Sequence, residues 1–154
     1  MTQTPTKQLE ALGLVLPAAP APVAAYVPTV RSGNLLFVSG QIPLRDGAMI
    51  ARGAVPTPVG MEQARECARQ CVINGLAQAQ AALGSIDRIR RVVRVGVFVA
   101  CGPGFGEQPK VANGASELLQ EIFGEAGRHA RAAVGCSDLP LGAPVEVEFV
   151  FEVE

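Results

Sequence analysis

The sequence predicts an α+β fold, a mixed sheet of about six strands with two helices on one face. Three observations predict it. The final stretch alternates strictly, with Val145, Val147, Phe149, Phe151 and Val153 on one side and Glu146, Glu148, Val150, Glu152 and Glu154 on the other, as a strand with one packed face does. Two segments, from Thr57 to about Leu83 and from about Gln108 to Gly124, repeat small or branched apolar residues at steps of three and four. Two helices with one apolar face each cannot cover both sides of such a sheet, so both belong on the same side and the other side needs a partner.

Length and composition bound the rest. A chain of 154 residues is one domain with room for a real core. Hydrophobic residues are 49%, charged residues 18% and the formal charge is -1, so no electrostatic footprint for nucleic acid or an anionic membrane is present. The absence of Trp and the single Tyr26 leave few rings for base stacking.

The apolar run from Ala11 to Ala25 carries Pro17, Pro20 and Pro22, which forbid a spanning helix. Residues 1–22 therefore read as an extended arm on the surface or on a partner subunit, and 23–154 as the domain. The protein is expected in the cytoplasm, with no membrane partner. Cys67, Cys71, Cys101 and Cys136 include no C-x-x-C pair and there is one histidine, so no metal site is expected and the thiols read as buried groups in a reducing compartment. His129, beside Gly127 and Arg128, reads as a loop histidine, because no Ser or Cys nucleophile in a strand-turn context accompanies it.

In chain order, an extended Tyr26 to Arg31 turns at Ser32-Gly33-Asn34 into an apolar strand that ends Ser39-Gly40-Gln41. Gly40 leaves the backbone bare for a ligand, or serves the geometry of a strand end. Arg45-Asp46-Gly47 turns into a short strand, 48–51. Thr57-Pro58 has the form of a helix cap followed by proline in the first turn, and Gly84 that of a stop. Ala64, Ala68, Cys71, Gly75, Leu76, Ala79 and Leu83 make the inner face of that helix, small enough for it to lie close on a sheet.

Val93, Val95, Val97 and Val99 share one face of a long strand; the arginines before it (Arg88, Arg90, Arg91, Arg94) read as a solvated edge rather than a phosphate patch. Cys101 to Gly106 is Gly-rich but lacks the Gly-Lys-Ser/Thr ending of a nucleotide loop, so it reads as a connection. The second helix turns Val111, Ala115, Leu118, Leu119 and Ile122 inward. The chain then closes with a hairpin, Ala130 to Val134 and Val145 onward. That places Arg131 and Glu146 on neighbouring strands, either as a cross-strand ion pair or as a site, a guanidinium fork for a carboxylate with an acid to position water.

The segments around Tyr26, Gly33 to Pro43, Val97-Phe98-Val99, Asn113, Ala130-Arg131-Ala132-Ala133-Val134, Leu139-Pro140 and Val145 to Glu148 together resemble the RidA (YjgF-like) family of reactive-intermediate deaminases, over about residues 23 to 153. The resemblance implies a chorismate-mutase-like subunit in a homotrimer with clefts between subunits. It implies hydrolysis of imines and enamines such as 2-aminoacrylate to keto acids and ammonia, without a cofactor. Carried onto this chain, Arg131 binds the substrate carboxylate and Glu146 orients or activates the water. Tyr26, Ser39 and Gly40 match positions that line the cleft, Asn113 matches a position that serves the cleft, the helix cap or an interface, and Ala133 stands where many members carry Cys. Arginine suits a planar two-point hold on a carboxylate, and a protonated imine needs no covalent nucleophile.

Three functions are compatible with these residues. One is imine or enamine deamination. A second is a trimer that binds a small carboxylate metabolite or modulates a partner enzyme. The third, RNA cleavage or translation inhibition, wants a basic surface and a pair of histidines that the sequence does not have.

Overall fold

A computed structural model describes residues 3–22 and 24–154. Met1, Thr2 and Val23, which bound the expected arm and domain, lie outside the described residues. The chain runs through α1 (Pro5–Ala11), β1 (Thr29–Ser32), β2 (Leu35–Gln41), β3 (Leu44–Arg45), β4 (Ala48–Met49), α2 (Met61–Leu83), β5 (Ile89–Ala100), α3 (Gln108–Phe123), β6 (Ala130–Cys136) and β7 (Val145–Val153). Its main sheet has five strands in the order β1-β2-β7-β5-β6, and β3 pairs with β4 in a separate two-stranded ribbon. The expected α+β sheet is therefore one strand smaller, because the short strand after Gly47 folds back on β3 instead of joining the main sheet.

β7 takes the centre, and its alternation is the core. Val145, Val147, Phe149, Phe151 and Val153 are buried in the core under α2, while Glu146, Glu148, Val150 and Glu152 look out on the other face. Helix α2 lies close on this sheet, as its small residues predict. A Cβ on Gly75 would come within 2.4 Å of the Phe149 ring, so any larger residue there would lift the helix. The helix begins at Met61 after Gly60 rather than at Thr57, with Val55 and Val59 buried in the turn before it.

The closing hairpin is not formed. β5 lies between β6 and β7, parallel to β6 and antiparallel to β7. The reason is the helix that precedes β6: β5, α3 and β6 form a crossover unit, which makes the outer strand parallel. The segment from Ser137 to Pro144, with Leu141 at φ 59, then spans β5 to reach the centre of the sheet.

The arm also departs from expectation. Thr4 caps α1 by accepting from the Lys7 N–H, Pro5 occupies its first turn, and Leu9 is 4% exposed in the core cluster. The Thr6 N–H donates to Asp87 Oδ1 at 2.8 Å, tying the helix to the turn before β5. Beyond Leu12 the arm is extended, and Gln78 Nε2 of α2 donates to the Pro20 carbonyl at 2.5 Å. No helix among the described residues is long and apolar enough to cross a membrane.

The face of the sheet away from the helices is open. Val30, Phe37 and Val134 lie on it at 54%, 43% and 47% exposure, and Arg94 pairs across it with Glu148 at 3.0 Å.

Candidate functional site

Glu146 projects from β7 on the open face, level with Phe98 of β5. Its carboxylate lies over the backbone of Gly40 in β2, where the register shifts between Val38 and Gln41. A Cβ on Gly40 would fall 2.0 Å from Glu146 Oε1, so of the two readings of that glycine the close approach is the one built here, with the protein's own carboxylate as the approaching group. Tyr26, Gly40, Gln41, Pro140 and Glu146 surround a cavity of about 70 Å³, and Pro20 to Pro22 of the arm form another wall of it. So small a space holds the reacting end of a small molecule and not a drug-sized ligand. Burial, and secondarily Glu148, push the Glu146 carboxyl above the usual carboxylate range.

Ser39 is not in this cavity. Its hydroxyl donates to the Val27 carbonyl at 2.8 Å and its N–H to Pro28, joining the strand to the segment ahead of β1. It sits instead beside Arg94 and Glu148 on the open face.

Arg131 is elsewhere. It is level with Val95, which is buried under the helices, so its side chain runs on the helix side of edge strand β6. There Nη1 donates to Asn113 Oδ1 at 2.9 Å and to Ser116 Oγ at 3.1 Å, and Nη2 donates to the Pro109 carbonyl at 3.4 Å. Asn113 is thus engaged with the arginine from the second turn of α3 rather than capping the helix. Ala133, two residues along β6, lies level with Val97 and packs against the core.

Behind Arg131 stand Ser116, which the sequence does not single out, and His129, expected as a loop histidine. Ser116, 6% exposed, meets His129 Nε2 at 2.8 Å, and His129 Nδ1 meets the Gly127 carbonyl at 2.6 Å. His129 does lie in the loop ahead of β6, as expected, with both ring nitrogens engaged. The visible signal was Ser116, a hydroxyl among the inward residues of an otherwise apolar helix face, which has to find a partner.

Arg131 and Glu146 thus lie on opposite faces of the sheet with β5 between them, and the cross-strand ion pair does not exist. The ion pairs among the described residues join Arg45 to Glu66, Arg65 to Glu117, Arg69 to Glu121, Arg94 to Glu148, Lys110 to Glu107 and Arg128 to Glu125. Within one chain the residues fall in two separate places: an acid in a small cavity with Tyr26 and Gly40, and an anchored guanidinium on the outer edge. A wider cavity, about 730 Å³ between the arm, α2 and the β3-β4 ribbon, contains neither. Its Arg45, Glu66, Gln70 and Asn74 bond to one another or to main-chain carbonyls, so that wall is already satisfied. No cluster of three or more His, Cys, Asp or Glu side chains that could hold a metal occurs among the described residues.

Residues 6–153 match the family model described as "YjgF/chorismate_mutase-like, putative endoribonuclease". The chain is 47% identical over 146 residues to Protein TCP17 of Trypanosoma cruzi, covering 94% of this chain and 91% of that protein. It is 30% identical over 138 residues to a 2-iminobutanoate/2-iminopropanoate deaminase of Dermatophagoides farinae, covering 90% and 93%. Among solved structures, one described as a putative endoribonuclease from Shewanella oneidensis superposes with a TM-score of 0.94 at 33% identity, covering 98% of this chain and all of that one.

Proposed function

Because the chain belongs to the YjgF/chorismate-mutase-like family, we propose that it hydrolyses small 2-imino and 2-enamino acids, of the 2-aminoacrylate kind, to 2-keto acids and ammonia. The reaction takes place in a homotrimer, in clefts where Arg131 of one copy meets Glu146 of the next. The observation that carries the reading is the placement of these two groups. A guanidinium with donors to spare on the outer edge and a cavity-bound acid on the open face are complementary halves that a single chain cannot bring together. The named activity of the mite relative supports the chemistry.

In this cleft the guanidinium fork takes the substrate carboxylate and turns the imine carbon toward the acid. An enamine first takes a proton on carbon to become the imine. Glu146 then accepts a proton from water as the water oxygen bonds to the imine carbon, returns it to the nitrogen of the resulting carbinolamine, and takes up the hydroxyl proton as the carbon–nitrogen bond breaks, the keto group forms and ammonia leaves. A carboxyl held above its ordinary range is better fitted to return that proton at neutral pH. The iminium is electrophilic by itself, so the anchor, the acid and one water carry the step.

RNA cleavage, the other activity in the family description, finds little support. The formal charge is -1, and the single histidine has both ring nitrogens engaged, with Gly127 and Ser116.

The test is release of pyruvate from 2-aminoacrylate, generated in place by a serine dehydratase, with semicarbazide competing for the imine. Wild type is expected to speed pyruvate release. Arg131→Ala is expected to lose carboxylate binding and Glu146→Gln to keep binding but lose turnover by about a hundredfold or more. No acceleration by a correctly assembled wild type, with pyruvate still bound, would assign the cleft to carboxylate binding instead of catalysis.

A further inference from the structure

We propose that Ser116 and His129 are positioning residues for Arg131, a relay that fixes its guanidinium against α3 and does so only while the imidazole is neutral. This rests on the reading of Arg131 as a carboxylate anchor, and adds to it two residues and a protonation state.

The direction of each bond follows from its ends. The Gly127 carbonyl accepts and cannot donate, so the proton of the neutral ring is on Nδ1. Nε2 then offers a lone pair, and the Ser116 hydroxyl gives its hydrogen to it at 2.8 Å. With that hydrogen committed, the Ser116 oxygen presents its remaining lone pairs to Arg131 Nη1 at 3.1 Å. Ser116 is 6% exposed, so water cannot readily take its place.

The consequence is felt at the free edge of the guanidinium. Nη1 has both N–H groups engaged, by Asn113 and Ser116, and Nη2 has one on the long contact to Pro109. That leaves Nε–H and one Nη2–H for a carboxylate. Without Ser116 the side chain, on an exposed edge strand, turns about its bond to Asn113, and the two donors are no longer held in one direction.

Protonating His129 reverses the relay. Nε2 becomes a donor, the Ser116 hydrogen loses its acceptor, and a second cation stands beside Arg131. Burial first, and Arg131 as the charge that faces it, lower the pKa of His129 against the opposing hydrogen bond to the Gly127 carbonyl, so the relay is lost as pH falls through that lowered value. The other charged groups around it are engaged elsewhere. Arg128 and Glu125 in the adjoining turn pair with each other at 3.6 Å in solvent. On α3, Glu117 and Glu121 bond toward Arg65 and Arg69 of α2, and Arg94 of β5 bonds Glu148 on the far face.

His129 is the one histidine, so its ring nitrogens can be followed by NMR in the full-length protein, with pyruvate as the probe. Wild type at pH 7 is expected to show the Nδ1–H tautomer; the Nε2–H tautomer would overturn the proposal without any ligand. On binding pyruvate the imidazole pKa is expected to fall, because a ligand that needs the neutral relay must oppose protonation reciprocally. A rise would overturn the proposal, since it would mean that the anion feels His129 only as a nearby charge. Ser116→Ala is expected to bind pyruvate roughly fivefold more weakly and to lose the shift. With Glu146→Gln in both proteins to remove that carboxyl's titration from the cleft, His129→Gln is expected to bind pyruvate with no change between pH 5 and 7, while the protein that keeps His129 binds more weakly as pH falls. Wild-type affinity in Ser116→Ala would remove the relay and leave the anchor. Failure of wild type to bind, or undiminished binding by Arg131→Ala, would instead remove the anchor itself.

Discussion

A half-buried carboxylate with no cation bonded to it is costly to a fold, and among the described residues Glu146 is such a group. Its raised pKa means that the folded state favours the protonated form, so the ionised form costs stability at neutral pH. That cost is relieved as pH falls through the raised value. Glu146→Gln is therefore expected to raise Tm at pH 7 by about 2 °C, with the gain shrinking by pH 4; thermal unfolding at the two pH values checks this, and an equal gain at both would point to packing instead of charge. Gly40 tests the same place from the other side. A Cβ there collides with the far end of a flexible side chain, so Gly40→Ala is expected to fold normally, displace the carboxylate and lower kcat by about tenfold or more. Unchanged kcat would show that the position of the carboxylate over Gly40 does not matter to turnover. At this scale the resemblance put Tyr26, Ser39, Gly40, Asn113, Arg131, Ala133 and Glu146 at one cleft, and within one chain only Tyr26, Gly40 and Glu146 share a cavity; it could not have found His129. Nothing near His129 in sequence marks it; its partner Ser116 lies on a helix thirteen residues earlier.

Among the elements, the alternation of β7 and the inner face of α3 were plain in the sequence, because each has a solvent side that makes its period visible. The partnership of β6 was not. A short strand of small residues reads equally as half of a hairpin or as the end of a crossover, and only the order β5, α3, β6 decides it. The dipeptide Thr-Pro gave two opposite errors. At Thr57-Pro58 it marks a turn four residues ahead of the helix, while at Thr4-Pro5 it does begin one, within an arm whose prolines at 17, 20 and 22 suggested extension throughout. The arm bears on the site through one side chain. Gln78 holds the Pro20 carbonyl, and Pro20 to Pro22 wall the acid's cavity. Gln78→Ala is expected to make residues 12–22 more sensitive to limited proteolysis and to favour bulkier imino acids relative to 2-aminoacrylate in competition assays. Unaltered cleavage and selectivity would mean that the wall stands without this bond.

For the whole molecule, the sheet is an asymmetric partition. One side holds two helices and the anchored arginine; the other holds the acid, Val30, Phe37 and Val134 with their surfaces uncovered. Reasoning from two helices and one sheet reached the uncovered face, since counting apolar faces needs no three-dimensional information. It did not reach the separation of Arg131 from Glu146, which depends on the face each residue takes in its own strand, and on the strand between them.

That separation has a consequence in genetics. If each cleft draws its arginine from one copy and its acid from the next, an allele encoding Arg131→Ala and one encoding Glu146→Gln are each silent alone, yet not when expressed together. In randomly mixed assemblies about a quarter of the clefts would combine an intact arginine with an intact acid, so co-expression should restore roughly a quarter of wild-type activity. Activity no greater than that of either parent would mean that the two residues serve separate purposes. A cell carrying both broken copies would then be no better off than a cell carrying one.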